Sequence, residues 1–103
     1  MKTQKRVKEK KIEKKDILKD ANSDHYFFVN DGTVLKNVLD LSKQLDKMSE
    51  EVFRYHVNDM KNDFASWIKE IFKEEKLAEE LLKTTEKDKT QIVLLKHIIK
   101  KFN

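Results

Sequence analysis

The amino-acid sequence predicts a mainly α-helical protein, in which a small β-hairpin precedes a compact bundle of about five short helices. The chain of 103 residues has no proline and a single glycine, so very little interrupts a helix. Beyond residue 35, apolar residues recur at the three- and four-residue spacing of one helix face. An Asn-Asp-Gly sequence separates two runs of aromatic and β-branched residues. These observations predict one globular domain at residues 26 to 103, preceded by an N-terminal arm at residues 1 to 25.

The arm carries the net charge of the chain. Residues 1 to 25 contain nine basic and five acidic residues, whereas residues 26 to 103 contain fourteen of each, so the formal charge of +4 belongs to the arm. Sparse apolar residues and clustered charge predict a disordered or frayed segment. Because lysine and arginine displace counterions from phosphates, the arm is a candidate nucleic-acid-binding segment. Its candidate residues are Lys2, Lys5, Arg6, Lys8, Lys10, Lys11, Lys14 and Lys15, and Lys96, Lys100 and Lys101 form a second candidate patch.

A two-stranded β-hairpin is predicted at the start of the globular domain. Residues 26 to 29 and residues 33 to 35 are aromatic or β-branched for the most part, which favours strands. Between them, Asp31-Gly32 is a strong turn signal, because glycine accepts the positive φ of a tight turn. A hairpin of this size is not stable alone, so we expect it to lie on the helices.

Five apolar stripes predict the helices that follow. Asn37, Ser49 and Asn62 are predicted to cap the first three, because their side chains accept hydrogen bonds from free backbone N–H groups. The third stripe is the widest and contains Trp67, so it is predicted to form the centre of the core. The predicted apolar faces are Val38, Leu41, Leu45 and Met48; Val52, Phe53, Val57 and Met60; Phe64, Trp67, Ile68, Ile71 and Phe72; Leu77, Ala78, Leu81 and Leu82; and Ile92, Leu95, Ile98, Ile99 and Phe102.

The composition excludes several kinds of site. Without cysteine there are no disulfides, thiolate nucleophiles or thiolate metal ligands, which fits a reducing cytoplasm. A single glycine cannot build a glycine-rich phosphate loop, and the serines lack the glycine-flanked turn of a hydrolase nucleophile. Neither a secretion signal nor a membrane-spanning stretch is expected. We therefore expect a cytoplasmic protein that uses no cofactor and is not an enzyme.

A cluster of polar residues lies between the second and third predicted helices. On a continuous helix, His56, Asp59 and Asp63 would share one face and form a conceivable metal or acid–base site. The alternative is structural: Asn58 ends one helix, Asn62 caps the next, and a half-buried His56 bonds across the junction. The structural interpretation is favoured because no second histidine stands at ligand spacing, and no metal is predicted.

Part of the sequence forms a recognisable pattern. Its elements are Phe28-Val29-Asn30-Asp31-Gly32, then His56-Val57-Asn58 within residues 48 to 58, then Asn62-Asp63-Phe64 with Trp67, and finally residues 77 to 81. In these elements the chain resembles a small archaeal and bacterial family of unknown function, over roughly three quarters of its length. The resemblance implies a helical domain behind a lysine-rich arm, and a nucleoid or other nucleic-acid partner. It implies no active site.

Two functions follow from these patterns. The first is a nucleic-acid-associated protein of the nucleoid type, which binds the phosphate backbone of DNA or RNA without sequence preference through its arm. A DNA-binding protein of this kind would lie at the nucleoid. The alternative is a protein interaction or oligomerisation module, because residues 92 to 95 place apolar side chains all round one turn of the last helix.

Overall fold

The computed structural model describes residues 18 to 102, and the eight early basic residues of the predicted arm lie outside this part of the chain. Within it, five α-helices and two small antiparallel hairpins follow a short 3-10 helix, Ser23–His25. The predicted fold class is confirmed, since the domain is mainly helical and begins with a hairpin. The elements are β1 (Phe27–Phe28), β2 (Val34–Leu35), α1 (Val38–Gln44), α2 (Glu50–His56), β3 (Val57–Asn58), β4 (Lys61–Asn62), α3 (Asp63–Phe72), α4 (Glu75–Leu81) and α5 (Lys87–Lys101).

The first hairpin forms where the sequence predicts it. Phe27 pairs with Leu35 and Phe28 with Val34, and Gly32 in the turn has a φ of 96°. The Asp31 carboxylate accepts a hydrogen bond from the backbone N–H of Thr33 at 2.9 Å. Hydrogen bonds from the backbone N–H and side chain of Thr33 hold the pKa of Asp31 below its ordinary value. The turn is therefore fixed by its own local chemistry.

All three predicted N-caps are present. Asn37 Oδ1 accepts from the backbone N–H of Asp40 at 2.7 Å, and Ser49 Oγ accepts from that of Val52 at 3.1 Å. Asn62 Oδ1 accepts from the backbone N–H of Ala65 at 2.9 Å. Each bond satisfies a backbone donor that has no partner within its helix. The starts of α1, α2 and α3 are thus encoded locally.

The second helix is shorter than its predicted apolar face, which extends to Met60, because it ends at His56 and a second hairpin, β3–β4, follows. Asn58 causes this ending: its Nδ2 donates to the Arg54 carbonyl at 2.8 Å, and its Oδ1 accepts from the Met60 backbone N–H at 2.9 Å. An asparagine that bonds the backbone in this way competes with the helix. The prediction that Met60 is buried is wrong, since this residue is 90% exposed at the turn.

Helix α3 lies at the centre of the core, as its apolar face predicts. Phe64 and Ile68 are fully buried, and the Trp67 indole is only 7% exposed. The Trp67 ring packs edge-on against Phe27 and Phe72, at centroid distances of 5.5 and 5.1 Å, and its Nε1 donates to the His25 carbonyl at 2.8 Å. The tryptophan therefore joins the segment that precedes β1 to the helical layer.

Four of the five residues predicted to form the buried face of the last helix are exposed, and only Ile98 packs against the core. The fully buried residues of this helix are Thr90 and Leu94, with Val93 and Ile98 partly buried, whereas the predicted residues Ile92, Leu95, Ile99 and Phe102 are between 41% and 60% exposed. Two long-range contacts set this rotation. Lys87 Nζ donates to the carbonyls of Leu45 and Met48, at 3.2 and 2.8 Å, and Gln91 Nε2 donates to the Ser42 carbonyl at 2.8 Å. They turn a mixed polar and apolar face of α5 towards α1.

The start of α5 has no side-chain cap. The N-cap residue is Glu86, whose side chain makes no capping hydrogen bond. Thr84 Oγ1 instead accepts from the Glu86 backbone N–H at 3.0 Å, one step before the helix. Thr84 therefore stabilises the loop before α5 and does not cap the helix.

Thr90 offers a direct test of the α5 packing. Its hydroxyl is buried without a hydrogen-bond partner in the described part of the chain. Thr90→Val keeps the shape and removes the unsatisfied group, so we expect the free energy of unfolding to rise by about 1 kcal/mol. Urea denaturation measures this, with the exposed Thr85→Val as control. A loss of stability in Thr90→Val alone would show that the hydroxyl has a partner.

Trp67→Ala tests the centre of the core. We expect it to lower the free energy of unfolding by about 3 to 5 kcal/mol, because a large buried ring leaves a cavity. Trp67→Phe keeps most of the ring volume and loses the bond to His25, so it should cost less. Chemical denaturation followed by circular dichroism measures both, and a Trp67→Ala protein as stable as the parent would contradict the packing described above.

Candidate functional site

The polar cluster predicted between the second and third helices forms a compact junction. We call His56, Asn58, Asn62 and Asp63 the polar junction. Asn58 and Asn62 belong to the β3–β4 hairpin, and His56 and Asp63 directly precede and follow it. His56 is 4% exposed, so the expectation that it is half buried is wrong. Its ring lies against the aromatic rings of Phe27, Phe64 and Tyr55, at centroid distances of 5.1, 5.3 and 4.9 Å.

Both ring nitrogens of His56 are hydrogen-bonded. The backbone N–H of Asn30 points at Nε2 across 3.0 Å, so Nε2 is the acceptor and carries no hydrogen. The hydrogen of the neutral ring is then assigned to Nδ1, which donates to Asp63 Oδ2 at 3.0 Å. The same carboxylate oxygen accepts from Lys61 Nζ at 3.0 Å. No lone pair of the ring remains for a metal or for a substrate proton.

The other members of the polar junction bond the backbone. Asn62 caps α3, and its Nδ2 donates to the Leu81 carbonyl at the end of α4, at 3.3 Å. Asp59 is exposed at the hairpin turn, and the continuous helix that would align it with His56 and Asp63 does not form. Among residues 18 to 102, no group of three or more potential ligands is placed to hold a metal ion. The geometry of the junction is that of a structural joint.

A shallow aromatic groove of about 550 Å³ runs between β1 and α3. Phe28 and Tyr55 are more than half exposed there, and Lys61 Nζ lies 4.8 Å from the Tyr55 ring centroid. The carboxylates of Asp63 and Glu70 also line the groove. Trp67 contributes to its floor with the indole N–H already bonded, so this ring is a core residue and not a base-stacking platform.

The second predicted basic patch, near the C-terminus, is only partly assembled. Lys96 and Lys100 are both exposed along one side of α5. Lys101 lies on another side, where its Nζ pairs with Glu74 Oε2 at 3.2 Å, and His97 Nε2 is 3.3 Å from the other oxygen of Glu74. The structure therefore brings together two of the three lysines and commits the third to an ion pair between α5 and the α3–α4 loop.

The groove between α4 and α5 has charges of both signs. It encloses about 700 Å³, and its walls carry Glu79 and Glu80 on α4 and Lys96 and Lys100 on α5. Apolar side chains, including Leu77, lie between the two walls. A phosphate chain would meet two carboxylates there, so the groove is better suited to a surface with both apolar and charged groups.

An exposed apolar face runs along α5. We call Ile92, Leu95, Ile99 and the C-cap residue Phe102 the α5 stripe; they are four of the five residues that the sequence analysis assigned to the buried face of the last helix. Leu82, at the end of α4, is also exposed. The signal that distinguishes the two faces of α5 is the pair Lys87 and Gln91, whose long polar side chains reach the backbone of α1 and its C-terminal loop.

Comparisons with protein-family models, curated protein sequences and solved structures gave no match to this chain. The resemblance to a small archaeal and bacterial family therefore stays a prediction. Between residues 18 and 102, no helix has the length and apolar character needed to cross a lipid bilayer.

Substitutions in the polar junction separate a structural joint from a ligand site. His56→Ala leaves the Asn30 N–H and the Asp63 carboxylate without this partner, so we expect a loss of about 2 to 4 kcal/mol in the free energy of unfolding. The matched control is Asp59→Ala, in the same hairpin but exposed, which should change stability by less than about 0.5 kcal/mol.

Thermal melts with added zinc or manganese complete the test of the junction. A metal that binds the folded state raises its melting temperature by mass action. We expect no such shift for the parent chain. A clear shift that disappears in both His56→Ala and Asp59→Ala would instead establish a metal site at the hairpin.

Proposed function

We propose that this chain is a small, non-enzymatic nucleic-acid-associated protein that binds the phosphate backbone without sequence preference. The observation that carries the proposal is the separation of charge along the chain. Residues 1 to 17 contain eight basic and three acidic residues, whereas residues 18 to 102 contain fifteen basic and sixteen acidic residues. The folded body is almost neutral, and the basic excess belongs to the segment before it.

Counterion release explains how such a segment would bind. Each lysine or arginine that neutralises a phosphate frees a condensed cation, and this gain does not require a shaped groove. Phosphate contacts position a protein on nucleic acid but carry no sequence information. Glu9, Glu13 and Asp16 interrupt the basic run, so we expect fewer simultaneous contacts than the eight basic residues would allow.

The described body contributes little positive charge to this function. Lys96 and Lys100 line the α4–α5 groove together with Glu79 and Glu80, and Lys101 is paired with Glu74. The three C-terminal lysines therefore add little to a phosphate site. In this proposal the body anchors the arm and spaces it from its neighbours.

The salt dependence of binding tests the proposed function. If about four to six arm residues contact phosphates at once, log affinity should fall with log salt at a slope of roughly −4 to −5 on duplex DNA. Replacing Lys5, Arg6, Lys8, Lys10 and Lys11 by glutamine should flatten the slope and leave the unfolding of the body unchanged. Fluorescence anisotropy at several salt concentrations measures this on DNA and RNA of scrambled sequence.

A second variant with the same change in net charge is the control. Glutamine at five exposed lysines of the body should affect the slope much less, because the proposal assigns the contacts to the arm. These are Lys43, Lys47, Lys69, Lys76 and Lys83. An intact chain that shows no affinity for DNA or RNA at about 50 mM salt, where electrostatic binding is favoured, would overturn the proposed function.

A protein interaction or oligomerisation module is the second candidate function. The observation that favours it is the α5 stripe: Ile92, Leu95 and Ile99 are exposed on one face of the 15-residue helix, and Phe102 follows as its C-cap. Apolar residues scattered singly on a surface are ordinary, but a contiguous line of them indicates a contact surface. The mixed charges of the neighbouring α4–α5 groove also suit a protein partner.

A further inference from the structure

We infer that the α4–α5 groove is a docking site for an acidic amphipathic helix of a partner protein. This inference rests on the second candidate function and deepens it, because it names the surface and the chemistry of the partner. The apolar side of the partner helix would lie in the groove, and its carboxylates would meet the lysines at the edge of the groove.

Apolar side chains from both helices line the groove. Leu77 of α4 is buried and Val93 of α5 is partly buried, whereas Ile92 and Ile99 of α5 are 50% and 60% exposed. The two isoleucines therefore offer apolar surface that a partner can remove from water.

The length and the walls of the groove suit a helix. On α5 its lining residues extend from Ile92 to Lys100, which is about 12 Å along the axis and roughly two helical turns. An amphipathic helix that binds in a groove makes its anchoring contacts over the same two turns. No strand residue lines the groove in the described part of the chain, so an extended peptide would have no sheet edge to bind there.

The lysines that line the groove differ from the other lysines nearby. Four of the seven lysines in residues 75 to 101 bond a carboxylate or a backbone carbonyl; they are Lys83, Lys87, Lys89 and Lys101. The other three, Lys76, Lys96 and Lys100, all line the groove. Within residues 18 to 102, none of these three has a carboxylate at ion-pair distance.

The positions of the charges give the groove a basic end. Helices α4 and α5 are antiparallel, because Glu74 just before α4 pairs with Lys101 at the end of α5. Lys76 in the first turn of α4 and Lys100 in the last turn of α5 therefore lie at the same end. Of the two glutamates that line the groove, Glu80 already pairs with Lys83. The unpaired charge of the groove is thus mostly positive, which favours carboxylates on the partner.

Other occupants match the groove less well. Residues 1 to 17 of this chain contain eight basic and three acidic residues, so their charge has the wrong sign. A phosphate chain has no apolar side chains to cover Ile92 and Ile99, and it would also meet Glu79. An acidic amphipathic helix supplies both the apolar surface and the carboxylates.

A synthetic peptide tests the site on the full chain. The probe is a fluorescent peptide of about 16 residues, with leucine at three- and four-residue spacing and glutamate on both sides. Anisotropy should give a dissociation constant on the order of 10 to 100 µM, since a contact of two turns is small. A peptide of the same composition in scrambled order, and one with lysine in place of every glutamate, should each bind at least about tenfold more weakly.

Charge reversal at the edge of the groove tests the role of the lysines. The double variant Lys96→Glu and Lys100→Glu should bind the acidic peptide at least about tenfold more weakly, and the lysine peptide more tightly than the parent does. A purely structural role of these lysines would not reverse the preference. The matched control is Lys43→Glu with Lys47→Glu, exposed outside the groove, which should leave both affinities within about twofold.

An apolar substitution tests the lining. Ile99→Asp should weaken binding of the acidic peptide at least about tenfold, because it places a carboxylate in the apolar contact. Met60→Asp makes the same change in charge at a 90% exposed residue of the β3–β4 turn and should have no effect. Circular dichroism checks that both variants are folded.

The arm is the other basic part of the chain, so its contribution is measured separately. The variant with glutamine at Lys5, Arg6, Lys8, Lys10 and Lys11 should keep its affinity for the acidic peptide within about twofold, although the proposed function expects it to lose nucleic-acid binding. Loss of peptide binding in this variant would assign the contact to the arm and overturn the inference. Anisotropy with DNA and RNA on the same samples keeps the outcomes for the two functions apart.

Several other results would also overturn the inference. They are an acidic peptide that does not bind at millimolar concentration, a scrambled or lysine peptide that binds as well, and an Ile99→Asp chain that binds like the parent. Displacement of the peptide by DNA in the arm variant would assign the groove to phosphates. Sedimentation equilibrium of the chain without peptide would assign it to a second copy if self-association disappears in Ile99→Asp. Self-association that is unchanged in Ile99→Asp, without peptide binding, would leave the second candidate function standing and this inference wrong.

Discussion

The buried His56 ring is the contact on which the arrangement of the other elements depends. It lies at the end of α2, accepts from the turn of the first hairpin and donates to the first residue of α3, so three separate elements meet at one side chain. A neutral imidazole suits this place because one nitrogen accepts while the other donates. Buried polar groups of this kind are costly when unpaired and specify one arrangement when paired. His56 was part of the candidate metal or acid–base site in the sequence, and both of its ring nitrogens are engaged in hydrogen bonds that hold the fold together.

Local signals account for the features that the sequence predicted correctly. The first hairpin depends on Gly32 and on the Asp31–Thr33 bond, both inside the turn. The caps at Asn37 and Ser49 bond residues three positions further along, so a short stretch of sequence is enough to predict them. Asn58 also acts locally, and its bonds to Arg54 and Met60 lie at the end of α2, in line with the structural interpretation of the polar cluster. The predicted apolar face nevertheless extends past Asn58 to Met60, because Val57 does belong to the core.

Contacts distant in sequence account for the errors. The rotation of α5 depends on Lys87 and Gln91, which reach backbone carbonyls 39 and 49 residues earlier. Apolar periodicity does not single out one face of this helix, because residues 92 to 95 are apolar without interruption. Only the position of α1 decides between them. The burial of His56 has the same origin, since its partner Asn30 lies 26 residues earlier in the chain. Sequence periodicity cannot supply such contacts.

The two functions proposed for the chain reinforce each other physically. A single short arm diluted with carboxylates would make few phosphate contacts, and each contact would weaken as salt rises. A partner helix held in the α4–α5 groove would be linked to the arm through the body, so contacts of that partner with the same nucleic acid would form at the high effective concentration set by the linkage. This gain requires no additional contact by the arm and no positive charge on the rest of the body. A nearly neutral body therefore suits a basic arm better than a strongly basic body would, because nucleic acid would occupy a basic surface and exclude an acidic partner from it.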